Sequence, residues 1–246
     1  MKATTLMTDP DLSPDMVKYT QPARFIDSDS REVRDFVSRA LSGMDPAATQ
    51  TDIAVRLFVA VREGLRYDPY SMQFDPDSYR ASTIAGMESA YCIPKAVLLT
   101  ACLRAAQIPA AIGFADVKNH LNTPKLAELM GTDLFIYHGY VQVWLDGKTY
   151  KITPAFNMEL CRRFGVMPLE FDGTGDALFH EFDQKGRKHM QYVKDRGIFV
   201  DVPIDDLLRD MRATYPNLEQ YNQDRISGTA KPVKDAFGAQ PGDNNA

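Results

Sequence analysis

Tyr91-Cys92-Ile93-Pro94-Lys95-Ala96-Val97-Leu98-Leu99-Thr100-Ala101-Cys102-Leu103-Arg104-Ala105-Ala106 is the stretch whose reading decides the fold. Only Pro94, Lys95, Thr100 and Arg104 interrupt a surface that is otherwise apolar all round, and a helix of that kind belongs at the centre of a domain, wrapped by protein. The helix is predicted to begin at Cys92, with Pro94 in the first turn, where a missing N–H costs nothing. A thiol at a helix amino terminus faces unpaired N–H groups and the positive end of the dipole, which favour its thiolate. The same N–H groups could receive a developing oxyanion. Cys92 is therefore a candidate nucleophile. Cys102, inside the helix, reads as a small buried hydrophobe, and Cys161, further on, as an inert thiol.

Outward from this helix, the pattern upstream predicts two amphipathic helices. One follows Asp29, with Glu32 three residues on and Val33, Phe36, Val37, Ala40 and Leu41 at helical spacing. The other runs from about Asp52 to Leu65, with Ala54, Leu57, Phe58, Val61 and Leu65 as its stripe and Arg56 and Arg62 toward solvent. Tyr67 to Ser82, broken by Pro69 and Pro76, reads as a loop whose Tyr67, Tyr70 and Tyr79 either contact substrate or pack. Downstream, Pro109 ends the helix and Ala110 to Ala115 reads as a short buried strand. Asp116 to Leu134 is an insertion with a helix from Thr123 and Pro124 to Gly131, a candidate rim or lid that would govern substrate choice. Phe135–Leu145 and Lys148–Thr153 flank Asp146-Gly147, the signature of a tight hairpin. A last helix is expected from Ile204 to about Tyr215. This gives an α+β domain over residues 25–226, an amino-terminal extension over 1–24, and a Gly-, Pro- and Asn-rich tail over 227–246 that is expected to be disordered.

The chain of 246 residues carries 28 Lys and Arg against 33 Asp and Glu, a net charge of −5 without a basic block, which argues against nucleic acid as a partner. No apolar run resembles a signal peptide or a membrane span. Three cysteines far apart fit reduced thiols and a cytoplasmic setting. His120, His180 and His189, with Asp116, Asp172, Glu181 and Asp183, lack a familiar zinc spacing, so neither a metal nor another cofactor is expected.

A nucleophilic cysteine needs a proton carrier, and His138, in the first hairpin strand, is the best-placed candidate. A two-residue turn sets Leu145 against Lys148 and His138 against Ala155, with Thr153 and Asn157 as diagonal neighbours of His138 on one face. Either could fix the imidazole tautomer. Tyr91, Tyr140 and Trp144 are candidates to line the cleft and bind substrate, or to fill core.

Three passages taken in order, Tyr91-Cys92-Ile93-Pro94-Lys95-Ala96, Leu103-Arg104-Ala105-Ala106-Gln107-Ile108-Pro109-Ala110 and His138-Gly139-Tyr140-Val141-Gln142-Val143-Trp144, resemble the core of the transglutaminase-like superfamily. The resemblance covers about Asp52 to Asn157. It implies a papain-like α+β fold, a catalytic cysteine opening a buried helix packed on an antiparallel sheet, and a histidine opening a strand. It further implies acyl transfer or hydrolysis on an amide, peptide, glutamine-like carboxamide or thioester through a Cys92 acyl-enzyme, with peptides, proteins or small acyl compounds as substrates. The chain departs from the pattern at one place: Thr153 precedes Pro154 where the family usually carries an aspartate. Asn157 could then orient His138 through its side-chain carbonyl. The same departure leaves open an inactive fold that serves as a binding module.

Overall fold

The computed structural model describes residues 14–119, 123–178 and 190–230, together with residues 233, 235 and 237. After a short helix α1 (Pro14–Val17), helix α2 (Arg31–Ala40) starts one residue later than its sequence signal, because Ser30 and not Asp29 caps it by accepting from the Val33 N–H. Helix α3 (Gln50–Gly64) opens on a reciprocal box in which Thr49 accepts from the Asp52 N–H and the Asp52 carboxylate accepts from the Thr49 N–H. Its predicted apolar stripe is buried. Arg62 departs from expectation: it is 3% exposed, not turned to solvent, and its guanidinium donates to the Leu169 carbonyl and pairs with Glu170. A buried guanidinium is tolerated where carbonyl and carboxylate oxygens replace its water.

Strand β1 (Arg66–Tyr67) pairs in parallel with β2 (Ser89–Ala90). The segment between them, expected as a loop, forms tight turns at Pro69–Ser71 and Pro76–Tyr79 and one turn of helix α4 (Ala81–Ile84). Asp68 and Asp75 each accept from the N–H two residues on, just ahead of a proline, which nucleates those turns. Helix α5 (Cys92–Ala105) is buried at every position to Arg104. One side lies on the sheet and the other is covered by α2, α3 and α4.

Three polar side chains break this buried surface, and each finds backbone oxygen. Lys95 Nζ donates to the carbonyls of Arg62 and Leu65 at 2.8 and 2.7 Å, closing the carboxyl end of α3. Thr100 donates to the Ala96 carbonyl one turn back. Arg104 donates to the carbonyls of Ala110, Gln21 and Val200, so one guanidinium ties three segments distant in sequence.

The sheet runs β5-β4-β3-β6, all antiparallel, from β3 (Ala110–Asn119), β4 (Leu134–Leu145), β5 (Lys148–Ile152) and β6 (Met190–Phe199). Asp146 and Gly147 both hold positive φ, 49° and 74°, and Leu145 faces Lys148 as the dipeptide predicts. Strand β3 continues past Ala115 to Asn119 because it is paired on both sides, so the first residues of the expected insertion belong to the sheet. Its remainder holds helix α6 (Pro124–Met130), capped by Thr123 and stopped by Gly131 at φ 66°, as the sequence signals. The edge strand β6 escaped the sequence reading because only Met190 in it is buried and its side chains carry no alternation.

Helices α7 (Met158–Phe164), α8 (Ile204–Thr214) and α9 (Pro216–Ile226) complete the chain. Both flanks assigned outside the domain meet it. Tyr19 stacks on Trp144 at 4.7 Å and accepts from the Ala110 N–H. Phe237, in the segment expected to be disordered, is 2% exposed against the rings of Tyr67, Tyr70 and Phe164, and Asp235 accepts from the hydroxyls of Tyr70 and Thr123. Among the described residues no helix is long and apolar enough to cross a membrane.

Burial holds the Lys95 ammonium down to a pKa of about 7, far below that of a lysine in an unfolded chain. Between these two values the unfolded chain binds a proton that the folded chain lacks, so this residue's contribution to stability grows as pH rises and is lost as pH falls through about 7. Comparing thermal unfolding of the wild type with Lys95→Met isolates the effect: the difference in Tm should move in favour of the wild type from pH 7 to pH 10, and a difference independent of pH would contradict it.

Candidate active site

Cys92 is the first residue of α5, and Tyr91 caps it in extended backbone without a side-chain bond. Beside this helix end runs β4, in which Gly139 makes the approach possible. A Cβ at that position would lie 3.0 Å from the Cys92 carbonyl oxygen, 3.0 Å from Ile93 Cα and 3.2 Å from Ala96 Cβ. Strand and helix therefore meet at backbone distance, and His138, one residue before this contact, lines the same cavity as Cys92.

The thiol is 7% exposed, and burial raises its pKa to about 11, while backbone N–H groups of Gly139, Ile93 and Cys92 itself pull it down by less. The helix end favours a thiolate, and desolvation of the sulfur works against it more strongly than those N–H groups work for it. Cys102 and Cys161 are buried and unbridged, their pKa values also raised by burial, in keeping with the inert roles read for them.

His138 is 3% exposed and its backbone is gripped on both sides. Before it, Tyr137 sits at φ 55°, where the ladder between β3 and β4 shifts register between Ala115 and Val117. Asp116, 5% exposed, accepts from the Tyr137 N–H at 3.1 Å and from Arg196 Nε at 2.6 Å. Arg196 lies 4.0 Å over the Tyr137 ring and reaches Asp210 at 3.2 Å, and the Tyr137 hydroxyl donates to Asp210 at 3.0 Å. After His138, the Thr153 hydroxyl donates to the Gly139 carbonyl at 2.7 Å.

The hairpin register holds to Val141–Ile152 and there the ladder ends; the Thr153 N–H turns away to the Ala177 carbonyl, so His138 and Ala155 do not face each other as a ladder pair. Thr153 contacts the backbone next to the imidazole. Asn157, 8% exposed, accepts from the Tyr67 N–H at 3.1 Å through Oδ1 and so ties the start of α7 to the loop that walls the cavity.

The cavity is narrow, with a volume of about 20 Å³. Tyr67, Pro69 and Met72 from the loop, and Tyr91 and Ile93 at the helix end, form one side. Leu126 and Met130 of α6, Phe135 and Ile136 of β4, and Met211 of α8 with Tyr215 just after it form the other. Tyr215 is anchored by accepting from the Ile136 N–H and donating to the Leu134 carbonyl. Of the candidates for substrate contact, Tyr67 and Tyr91 line the cavity; Tyr70, Tyr79, Tyr140 and Trp144 do not. Tyr140 packs where a Cβ on Gly113 would lie 2.2 Å from its ring, with Ala115 and Val117 beside it and its hydroxyl on Asp195, and Trp144 is taken up by Tyr19. The walls from α6 and α8 carried no chemical signal in the sequence. Asp116 and Asp172 are engaged by Arg196 and by Thr174. His120, His180, His189, Glu181 and Asp183 lie outside the described residues.

A neutral thiol alkylates in proportion to its thiolate fraction. Reaction of Cys92 with iodoacetamide, followed by peptide mass, should therefore be slow at pH 7 and accelerate by roughly tenfold per pH unit toward about 11. A fast plateau at pH 6 to 7 would reveal a preformed ion pair instead.

Residues 37–152 match the family model described as the transglutaminase-like superfamily. No curated protein matches the sequence. Solved structures that are similar include a proposed cysteine protease from Cytophaga hutchinsonii, 17% identical with a TM-score of 0.45 over 61% of this chain and 45% of that one. The chain thus spans less than half the length of that protein. Residues 37–152, the span that holds Cys92, Gly139 and His138, are thus similar to the core of the transglutaminase-like superfamily.

Proposed function

We propose that the protein is a cysteine enzyme that transfers or hydrolyses acyl groups through a Cys92 thioester, with His138 as its acid and base. The observation that carries this reading is the shared cavity of Cys92 and His138, built around the close approach at Gly139. Because burial works against a thiolate at rest, the proton leaves during attack: His138 takes it as the sulfur bonds to the carbonyl carbon of an amide or thioester. The oxyanion that forms gains from N–H groups at the start of α5. Collapse breaks the bond to the amine or thiol, which departs with the proton held by His138. Water or an amine then attacks the thioester, gives its proton to His138, and restores the thiol as the bond to sulfur breaks. Three unbridged buried cysteines suit a reducing compartment such as the cytoplasm.

The competing reading, a fold that binds without turnover, draws on Thr153 in place of the family's aspartate. The test is intact mass after exposure to activated acyl donors: wild-type protein should gain a covalent acyl group that maps to Cys92, and Cys92→Ala should gain none and lose all turnover while keeping its Tm. Full activity in Cys92→Ala would refute the mechanism. Cys102→Ala and Cys161→Ala should keep catalysis.

The third function in the site is distributed: Asp116 and Thr153 position the backbone on either side of His138, and Asn157 positions the cavity wall, with its role toward the imidazole open to the same substitutions. Misplacement of a catalytic group by about 1 Å can cost on the order of a hundredfold. Asp116→Ala should therefore lower kcat by roughly 10- to 100-fold with KM little changed, and Asp116→Asn, which still accepts from Tyr137, should recover part of it. Asn157→Ala should cost more than Thr153→Val; equal kcat in all four variants would leave the Cys92 and His138 pair as the whole machinery.

A further inference from the structure

The walls of the cavity say more about the acyl group than the Cys92 and His138 pair does. Away from those two residues the lining side chains are uncharged, and most are aliphatic or thioether: Leu126 and Met130 from α6, Ile136 from β4, Met72 from the loop and Met211 from α8. Two of the tyrosine hydroxyls there are already committed, Tyr91 to Tyr79 at 2.5 Å and Tyr215 to the backbone of Leu134 and Ile136. A carboxamide or carboxylate entering this space would give up its water without a matching set of donors and acceptors. Three methionines from separate elements converge on it, and an unbranched thioether swings between rotamers at little cost, so the walls can part around a slender chain.

We propose that the acyl donor presents an unbranched aliphatic acyl chain of medium length, which enters between α6 and α8 while its carbonyl rests at Cys92. This rests on the acyl-enzyme reading above and deepens it by choosing an aliphatic acyl group over a glutamine-like side chain. In the step itself, the sulfur bonds to the acyl carbonyl carbon, the ester or thioester bond to the leaving oxygen or sulfur breaks, and the Cys92 proton passes by His138 to that leaving atom. Nothing is oxidised or reduced. The same placement makes Met130, in the insertion after β3, a residue that sets chain length.

The experiment compares p-nitrophenyl acetate, hexanoate and glutaramate, following p-nitrophenolate release and the mass of the acyl adduct on Cys92, with Cys92→Ala as blank. A single methylene in a fitted apolar pocket is worth roughly 10- to 200-fold, so hexanoate should exceed both others in kcat/KM by about tenfold or more even with a loose fit. Met130→Trp should fill the space and shrink the ratio of hexanoate to acetate. Adducts on Cys92 from all three esters at similar rates, or a preference for glutaramate, would overturn the aliphatic pocket and leave the acyl-enzyme standing. Absence of any adduct on Cys92 would overturn both. Should Met130→Trp fail to fold, the ratio measured on the wild type decides alone.

Discussion

The contact on which the site depends is the approach of a strand to the first turn of a helix with no side chain between them. Gly139 supplies the gap, and any Cβ there would strike the backbone of Cys92 and Ile93. Because the two backbones touch, the residue before the glycine and the first residue of the helix come to share one cavity. The same closeness excludes water from the sulfur. The helix end that would favour a thiolate in solvent is thus buried, and that burial pushes the thiol pKa up. In the proposed mechanism His138 then accepts the proton as the new bond forms.

A helix wrapped on all sides has no solvent into which its polar side chains can reach, and the ways these are satisfied hold the fold around it. Lys95 completes the carboxyl end of α3, and Arg104 gathers the carbonyls of three segments. Arg62 does a similar service for the chain at Leu169. Each is a long side chain whose stem packs in the core while its charged head replaces water with backbone oxygen. Around His138 the same principle works at shorter range. Asp116 with Arg196 and Asp210 fixes the bulge before it, and Thr153 fixes the carbonyl after it.

Around Cys92 and His138, the cavity is assembled from segments far apart in the chain. The loop before α5, the helix in the insertion and the end of α8 each bring apolar residues to it, while the strand face that carries Tyr140 turns to the other side of the sheet. An insertion between two strands costs little in loop entropy, so a wall can be remodelled there without disturbing the core beneath.

What the sequence by itself determined are the features written in neighbouring residues. The largely apolar character of Cys92–Ala105, the Asp146-Gly147 turn, the Thr123 cap and the Gly131 stop all took the form their local chemistry dictates, since caps, turns and apolar periodicity are set within a few residues. Cys92 was legible because it opens such a helix, and His138 because it lies on the strand that leads into the Asp146-Gly147 turn. Tertiary structure alone decided the rest. Arg62 lies on a helix face that reads as exposed until Leu169 and Glu170 cover it. The tail carries few large apolar residues, yet Phe237 finds an aromatic recess formed by residues some 70 to 170 positions away. Asp116 meets Arg196 only because β6 pairs with β3, and β6, an exposed edge, has no alternation to announce it. The charge on the thiol was decided there as well: the sequence supplies the helix end, but how much water reaches it depends on what the chain folds over it.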